Sequence, residues 1–234
     1  MNTTTSPTAP APQPAAGAGP TATEVTGPPD ALRPAVAVFT TLDTPDGPFS
    51  LLATADGVLA SGWTADRAAL AGLVHPGLRP GEDAVAVLPA SDLRLRADRH
   101  PDPPSGPAPA AVDAVAVAAA AAAAVHAYYA GDLAAPGRIP VRQHSGRFRV
   151  QAWDTLRGVG PGERLTYAAY AARSGRPTAV RAAAAACALN AAALFVPCHR
   201  ILRTDGTLGG FRYGLELKQR LLGREAGRPE NMLF

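Results

Sequence analysis

The sequence predicts an α/β N-terminal domain, a small antiparallel sheet with helices, followed by a mainly α C-terminal domain with a winged-helix-like helix-turn-helix. Three observations predict it. Residues 35–63 hold three β-prone apolar runs separated by turn residues. From Asp113 onward the chain turns alanine-rich with helical spacing, including a helix, short glycine turn and second helix between Leu165 and Leu189. The charge also changes sign along the chain. Residues 138–234 carry 16 Lys+Arg against 6 Asp+Glu, a balance of +10, and residues 1–137 carry 6 against 13, a balance of −7.

In chain order, residues 1–34 are Pro/Ala/Thr/Gly-rich and poor in large apolar side chains, so they are expected to form a disordered tail. Residues 35–137 form the expected N-terminal domain. Its strands are Ala35 to Leu42, Phe49 to Thr54 and Val58 to Trp63, with Pro45-Asp46-Gly47 and Asp56-Gly57 as turns. A short helix over Ala65 to Val74, a strand over Val85 to Leu88, a proline-rich loop over Pro101 to Pro109 and a helix from Asp113 to Tyr129 follow.

A linker from Leu133 to Gly146 leads through the start of the second domain, residues 138–234. Phe148, Ala152, Leu156 and Val159 make the stripe of an amphipathic helix. Thr166 reads as the N-cap of a helix through Arg173. Ser174-Gly175-Arg176 reads as a tight turn, and Pro177 as the first turn of the next helix. That second helix carries Arg181 and is otherwise almost all alanine. Its small side chains admit a close partner, either another helix or a DNA groove, and the basic balance favours DNA. Leu194-Phe195-Val196 reads as a brief buried strand delivering Cys198. Residues 204–214 form a glycine-punctuated loop, and Leu215 to Glu225 the last helix.

Composition narrows the class further. Cys187 and Cys198 are too few for a disulfide framework and lack the spacing of a zinc site, so no metal and no cofactor are expected, in a reduced, cytoplasmic setting. The N-terminus lacks the basic start and apolar block of a secretory signal. Asp113 and His126 interrupt the run from Ala111 to Ala130, and alanine is a weak membrane residue, so no membrane association is expected. His75, His100, His126 and His144 are scattered and read as surface or core residues.

The chemistry centres on Cys198-His199, either a structural pair or a nucleophile with its base. A thiol attacks as thiolate, and its ordinary pKa of about 8.5 leaves a few per cent ionised at neutrality. A histidine can take the proton, and a carboxylate on the other ring nitrogen fixes the tautomer. Glu225 shares the apolar face of the last helix with Leu221 and Leu222, where a carboxylate needs a partner. No oxyanion hole or water-activating residue stands out, so hydrolysis is less well supported. Cys187 reads as a small core residue.

Residues from about Phe148 to Ala226 resemble the O6-alkylguanine-DNA alkyltransferase family. The motifs are Leu165-Thr166-Tyr167, Ala179-Val180-Arg181, Asn190, Pro197-Cys198-His199-Arg200, residues 209–214 (Gly-Gly-Phe-Arg-Tyr-Gly) and Arg224-Glu225-Ala226. The resemblance implies irreversible transfer of an alkyl group from guanine O6, less readily from thymine O4, to Cys198. It implies His199 as base through a water, Glu225 orienting it, and Asn190 bracing the turn. Thr166, Tyr167 and Ala182 would meet double-stranded DNA carrying the lesion, and Arg181 would enter the duplex in place of the flipped nucleotide. Pro197, Gly209, Gly210, Phe211, Arg212 and Tyr213 would form the pocket, in a protein acting as a monomer. Phe211 and Tyr213 stand where close relatives have tyrosine and tryptophan. No cysteine-rich sensor segment is visible, so the self-inducing regulator form is not expected. A damage-binding module without transfer, and a regulator of undamaged DNA, are the competing readings.

Overall fold

A computed structural model describes Met1, residues 37–97 and residues 110–227 of the 234-residue chain. The expected tail, apart from Met1, and the proline-rich loop lie outside the described residues, as does the side chain of Asp113. From Ala37 onward the described residues belong to one compact unit.

The meander forms as β1 (Ala37–Thr44), β2 (Gly47–Thr54) and β3 (Gly57–Gly62), with antiparallel pairing throughout. Gly57 takes φ +139°, and a Cβ there would meet the Pro140 carbonyl oxygen at 2.8 Å. The meander is antiparallel as expected, and the fourth strand makes the sheet mixed. β4 (Val85–Val87) pairs in parallel with β1, giving the order β3-β2-β1-β4. The physical reason is the connection: helix α1 (Arg67–Gly72) lies between β3 and β4, and such a crossover returns the chain in the same direction. α1 is shorter than expected because Asp66 caps it, its Oδ1 accepting from the Ala69 N–H at 3.0 Å.

Helix α2 (Ala90–Ala97) was not anticipated. Helix α3 (Ala110–Tyr129) packs on the sheet through Ala114, Ala118, Ala121, Val125 and Tyr128, all fully buried. Alanine at those spacings lets the helix axis approach the sheet closely. Helix α4 (Arg147–Arg157) buries Ala152, Trp153 and Leu156, while Phe148 stays half-buried beneath the Arg176 guanidinium. One apolar core runs from Val38 through these helices to Leu221.

The helix-turn-helix is present. Strand β5 (Leu165–Thr166) precedes helix α5 (Tyr167–Arg173), which Thr166 caps by accepting from the Ala169 N–H at 3.1 Å. Gly175, at φ +81°, makes the turn, and helix α6 (Val180–Ala188) follows. Pro177 does not open α6 as expected. The helix starts three residues later, and Ala179 precedes it without a side-chain cap. Strand β6 (Ile201–Leu202) pairs in parallel with β5, and helix α7 (Leu215–Glu225) closes the unit.

Leu194-Phe195-Val196 is buried as expected but is not a strand; it is a turn. The strand-like contact falls two residues earlier, where Ala192 bridges Ser61 of β3. Ser61 accepts from the Ala193 N–H at 3.1 Å and donates its Oγ–H to the Ala193 carbonyl at 2.8 Å. The chain then reverses at Leu194, φ +71°, the one positive φ at a non-glycine among the described residues. That conformation costs on the order of 1 kcal/mol and is held by the surrounding core. Among the described residues no helix is long and apolar enough to cross a membrane.

Candidate active site

Pro197 leads into a single 3-10 turn, Cys198–Arg200, which sets Cys198 half-buried in a cavity of about 340 Å³. Tyr167, Cys187, Asn190, Phe211, Arg212 and Tyr213 line the cavity with it. Asn190, buried after the end of α6, holds the turn together. Its Nδ2 donates to the Val196 carbonyl at 2.8 Å and to Cys198 Sγ at 3.3 Å. Its Oδ1 accepts from the Ala192 N–H and from Gln143 Nε2, both at 3.1 Å.

Behind the thiol, His199 is fully buried and its Nε2 meets Glu225 Oε1 at 2.9 Å. Arg200 grips the same carboxylate through Nε to Oε2 at 2.9 Å and Nη2 to Oε1 at 2.7 Å. The Tyr128 hydroxyl of α3 also donates to Oε1, at 3.3 Å. Burial opposes ionisation of Glu225, but the hydrogen bonds of His199 and Arg200 and the Arg200 charge, joined at acid pH by the charge of a protonated His199, outweigh it and hold its pKa at about 2. Burial also lowers the His199 pKa, against the pull of Glu225, so a neutral ring faces an ionised carboxylate. Nε2 then carries the proton donated to Glu225. The basic atom is Nδ1, which is buried and meets no hydrogen-bond partner among the described residues. Burial raises the Cys198 pKa, opposed by the Asn190 hydrogen bond and by the nearby Lys218 charge. The resting sulfur is therefore a thiol that needs a base to ionise.

The structure brings Cys198, His199, Glu225 and Asn190 into one connected group. Tyr167, Gly210, Phe211, Arg212 and Tyr213 line the cavity, whereas Pro197 and Gly209 are buried without lining it. The Arg212 Nη2 donates to the Ala188 carbonyl at 2.6 Å, and the Tyr213 hydroxyl to the Ser61 carbonyl at 3.2 Å, so the loop is latched to α6 and to β3. Arg181 and Ala182 are exposed on α6 and Thr166 is committed to its cap; none of the three lines the cavity. Cys187 is not a simple core residue, since it is half-buried and faces the same cavity as Cys198.

Three contributors escaped the sequence reading: Lys218, Tyr128 and Gln143. Lys218 is fully buried and donates to the Ile201 carbonyl at 2.6 Å and the Gly209 carbonyl at 3.3 Å. A lysine at 0% exposure is a signal only once the burial of α7 is known, although its position next to Leu217 on the apolar side hinted at it.

Two expected outcomes follow from this geometry. A Cβ at Gly209 would lie 2.6 Å from the Tyr167 hydroxyl, so Gly209→Ala should push Tyr167 out of the cavity wall while leaving the backbone path intact. The alkyl transfer to Cys198 proposed below should slow with little change in thermal midpoint, measured by single-turnover kinetics and calorimetry. The second concerns acid. The Glu225 pKa is depressed in the folded chain, from 4.5 to about 2, so its stabilisation is complete above pH 4.5 and is lost as pH falls through that interval. The contribution is about 3 kcal/mol. Denaturant titrations over this range should show the loss, and Glu225→Gln should remove it.

Fold and site together define a helix-turn-helix protein with a thiol cavity at the end of its second helix, backed by a buried histidine–carboxylate pair. The family described as 6-O-methylguanine DNA methyltransferase, DNA binding domain, matches residues 147–227. The bifunctional transcriptional activator/DNA repair enzyme Ada of Escherichia coli is 44% identical over 95 residues, 41% of this chain and 27% of that protein. The methylated-DNA--protein-cysteine methyltransferase of Haemophilus influenzae is 40% identical over 98 residues, 42% of this chain and 55% of that protein. The matched part thus spans about a quarter of Ada and about half of the shorter relative. The crystal structure of Mycobacterium tuberculosis OGT in complex with DNA shares the fold, with TM-score 0.57 at 20% identity, covering 84% of this chain and 98% of that one. Residues 147–227 thus match the DNA-binding domain of 6-O-methylguanine DNA methyltransferases, and that part of the chain is similar to these relatives.

Proposed function

We propose that this protein repairs DNA by direct reversal, taking the alkyl group of O6-methylguanine, and less readily of O4-methylthymine, onto Cys198 in a single turnover. The observation that carries the reading is a thiol set in a cavity, hydrogen-bonded by Asn190 and backed by a neutral His199 whose proton is held toward an ionised Glu225. A water between the two side chains passes the thiol proton to His199 Nδ1. The sulfur attacks the alkyl carbon, an S–C bond forms, and the C–O6 bond breaks with its electron pair going to the guanine. Overall, the guanine regains at its ring nitrogen the proton that the thiol gave up. The product is a thioether, which no group in the cavity is placed to cleave, so the protein is consumed.

A stacked base does not present its O6-alkyl carbon to a sulfur in line, so the nucleotide must leave the duplex. Unstacking costs a few kcal/mol, which groove and phosphate contacts offset. Arg181, exposed at the start of α6, is suited to fill the gap, and the alanines of α6 allow the helix to lie close in the minor groove. Thr166 and Ala182 would contact the duplex, and Tyr167 would sit between backbone and cavity. Residues 138–234 would bind and react, with residues 35–137 as the scaffold that supplies Tyr128 and the β3 contact. Both cysteines are free, which suits a cytoplasmic, monomeric protein that works as a thiol.

Cys198→Ser tests the proposal. The variant should bind a duplex carrying one O6-methylguanine about as well as the wild type, with no methyl uptake by peptide mass mapping. Wild-type uptake should fall on the Cys198 peptide and not on Cys187. Uptake that persists in the variant would sink the assignment.

A further inference from the structure

A second cavity, also about 340 Å³, lies on the other side of the turn that follows α6. Alternate residues of that turn serve the two cavities: Ala188 and Asn190 line the one that holds Cys198, Leu189 and Ala191 the other. The floor of the second is apolar, with Leu59, Val74 and Trp153. Its rim carries Arg79, Arg142, Arg149, His75 and His144, and no acidic residue among the described residues lines it.

The charge of this rim is largely uncompensated. Arg142 is paired with Asp56, which lies outside the lining. Arg149 donates to the Ser145 hydroxyl at 2.6 Å, and Arg79 donates to the carbonyls of Gly72 and Val74 at 3.2 and 3.1 Å. Among the described residues neither Arg79 nor Arg149 forms a salt bridge. His75 Nδ1 accepts from the Gly77 N–H at 3.1 Å, which leaves Nε2 as a further N–H donor when the ring is neutral. The rings of His75 and His144, both lining the cleft, stand edge-on with centroids 4.7 Å apart. Two unpaired guanidiniums and a ring N–H around one concavity are the donor set of an anion with several oxygens, above all a phosphate.

We propose that this cleft takes a phosphodiester of the bound duplex, a second anchor beyond the C-terminal end of α6 that adds Arg79 and His75, from the otherwise scaffolding residues 35–137, to the duplex-binding surface. The inference rests on the DNA-binding reading above. Continuity favours the duplex as occupant: Leu189, exposed by 50% at the end of α6, forms part of the cleft wall. At a rise of 1.5 Å per residue the nine residues of α6 span about 13 Å, roughly four base steps of 3.4 Å. A strand that passes Arg181 at the start of the helix thus has backbone within reach of the cleft at its end. The cleft is also wired to the thiol. Gln143 lines it, accepts from the Ala191 N–H at 2.9 Å, and donates to Asn190 Oδ1, while Asn190 Nδ2 reaches Cys198 Sγ. A phosphate seated there fixes the side of the turn opposite the nucleophile.

The test is the salt dependence of duplex binding by full-length wild type, by the double variant Arg79→Gln/Arg149→Gln, and by Arg67→Gln, an exposed arginine outside the cleft. The slope of log K against log salt should fall in magnitude by about 1 to 2 in the double variant and stay at the wild-type value in Arg67→Gln. Thermal midpoints of all three confirm that the chains are folded. An unchanged slope in the double variant, with wild-type binding intact, overturns the inference alone. Wild type that binds no duplex overturns this inference and the DNA-binding reading together. A parallel titration with inorganic phosphate separates the sources: perturbation of the Arg149 side-chain resonances by phosphate, with the slope unchanged, assigns the cleft to a free anion and likewise overturns it.

Discussion

Glu225→Ala should slow transfer to Cys198 by about 10²- to 10⁴-fold, the usual range for disabling a positioned acid–base group. The carboxylate holds His199 in the tautomer that leaves Nδ1 basic, and it neutralises the buried Arg200. Its removal strands Arg200, only 6% exposed, without a counter-charge, and should destabilise the fold by about 3–5 kcal/mol. Glu225→Gln separates the two effects. It keeps an acceptor for His199 and removes the charge, so stability should fall with a smaller loss of rate. Single-turnover kinetics on folded protein, beside denaturant midpoints, read both. An alanine variant of full rate would remove Glu225 from the reaction.

Asn190→Ala should cost about 2–4 kcal/mol, because the Ala192 N–H and Gln143 Nε2 lose their acceptor in the interior and the Val196 carbonyl keeps only the Cys198 N–H. It should also slow transfer by at least about tenfold, since burial then raises the Cys198 pKa without the opposing hydrogen bond. Asn190→Asp sharpens the point. A carboxylate beside the sulfur disfavours the thiolate, so the pH profile of Cys198 alkylation by iodoacetamide should move upward. A profile unmoved in Asn190→Asp would show that Asn190 acts on the backbone alone.

Cys198, His199 and Glu225 were legible in the sequence because their chemistry is rare and their placement local. A thiol beside an imidazole, and a carboxylate on the apolar side of a helix, each call for a partner. The meander and the helix-turn-helix were legible for the same kind of reason, through Asp-Gly turns, the Thr166 cap and Gly175. What the sequence did not disclose depends on distant pairing. The parallel contact of β4 with β1 joins segments more than forty residues apart, and three residues of Val-Ala-Val carry no mark of direction. Leu194 to Val196 had the composition of a strand, but its backbone is turned by the stitching of residues 191–193 to Ser61. Tyr128, Gln143 and Lys218 come from three separate segments, and each looks ordinary at its own position. Cys187 misled because an alanine helix offers no contrast between its buried and cavity-facing sides.

The central claim is that Cys198 is a terminal acceptor, consumed once. The direct measurement is intact mass of the wild-type protein through a time course with an excess of duplex carrying one O6-methylguanine, with lesion loss counted in parallel. The expected result is a plateau at one added methylene unit per chain, located on Cys198, with lesions removed in equal number to protein molecules. Lesion loss that continues past one per chain, or a folded protein whose Cys198 stays unmodified over hours, would contradict it.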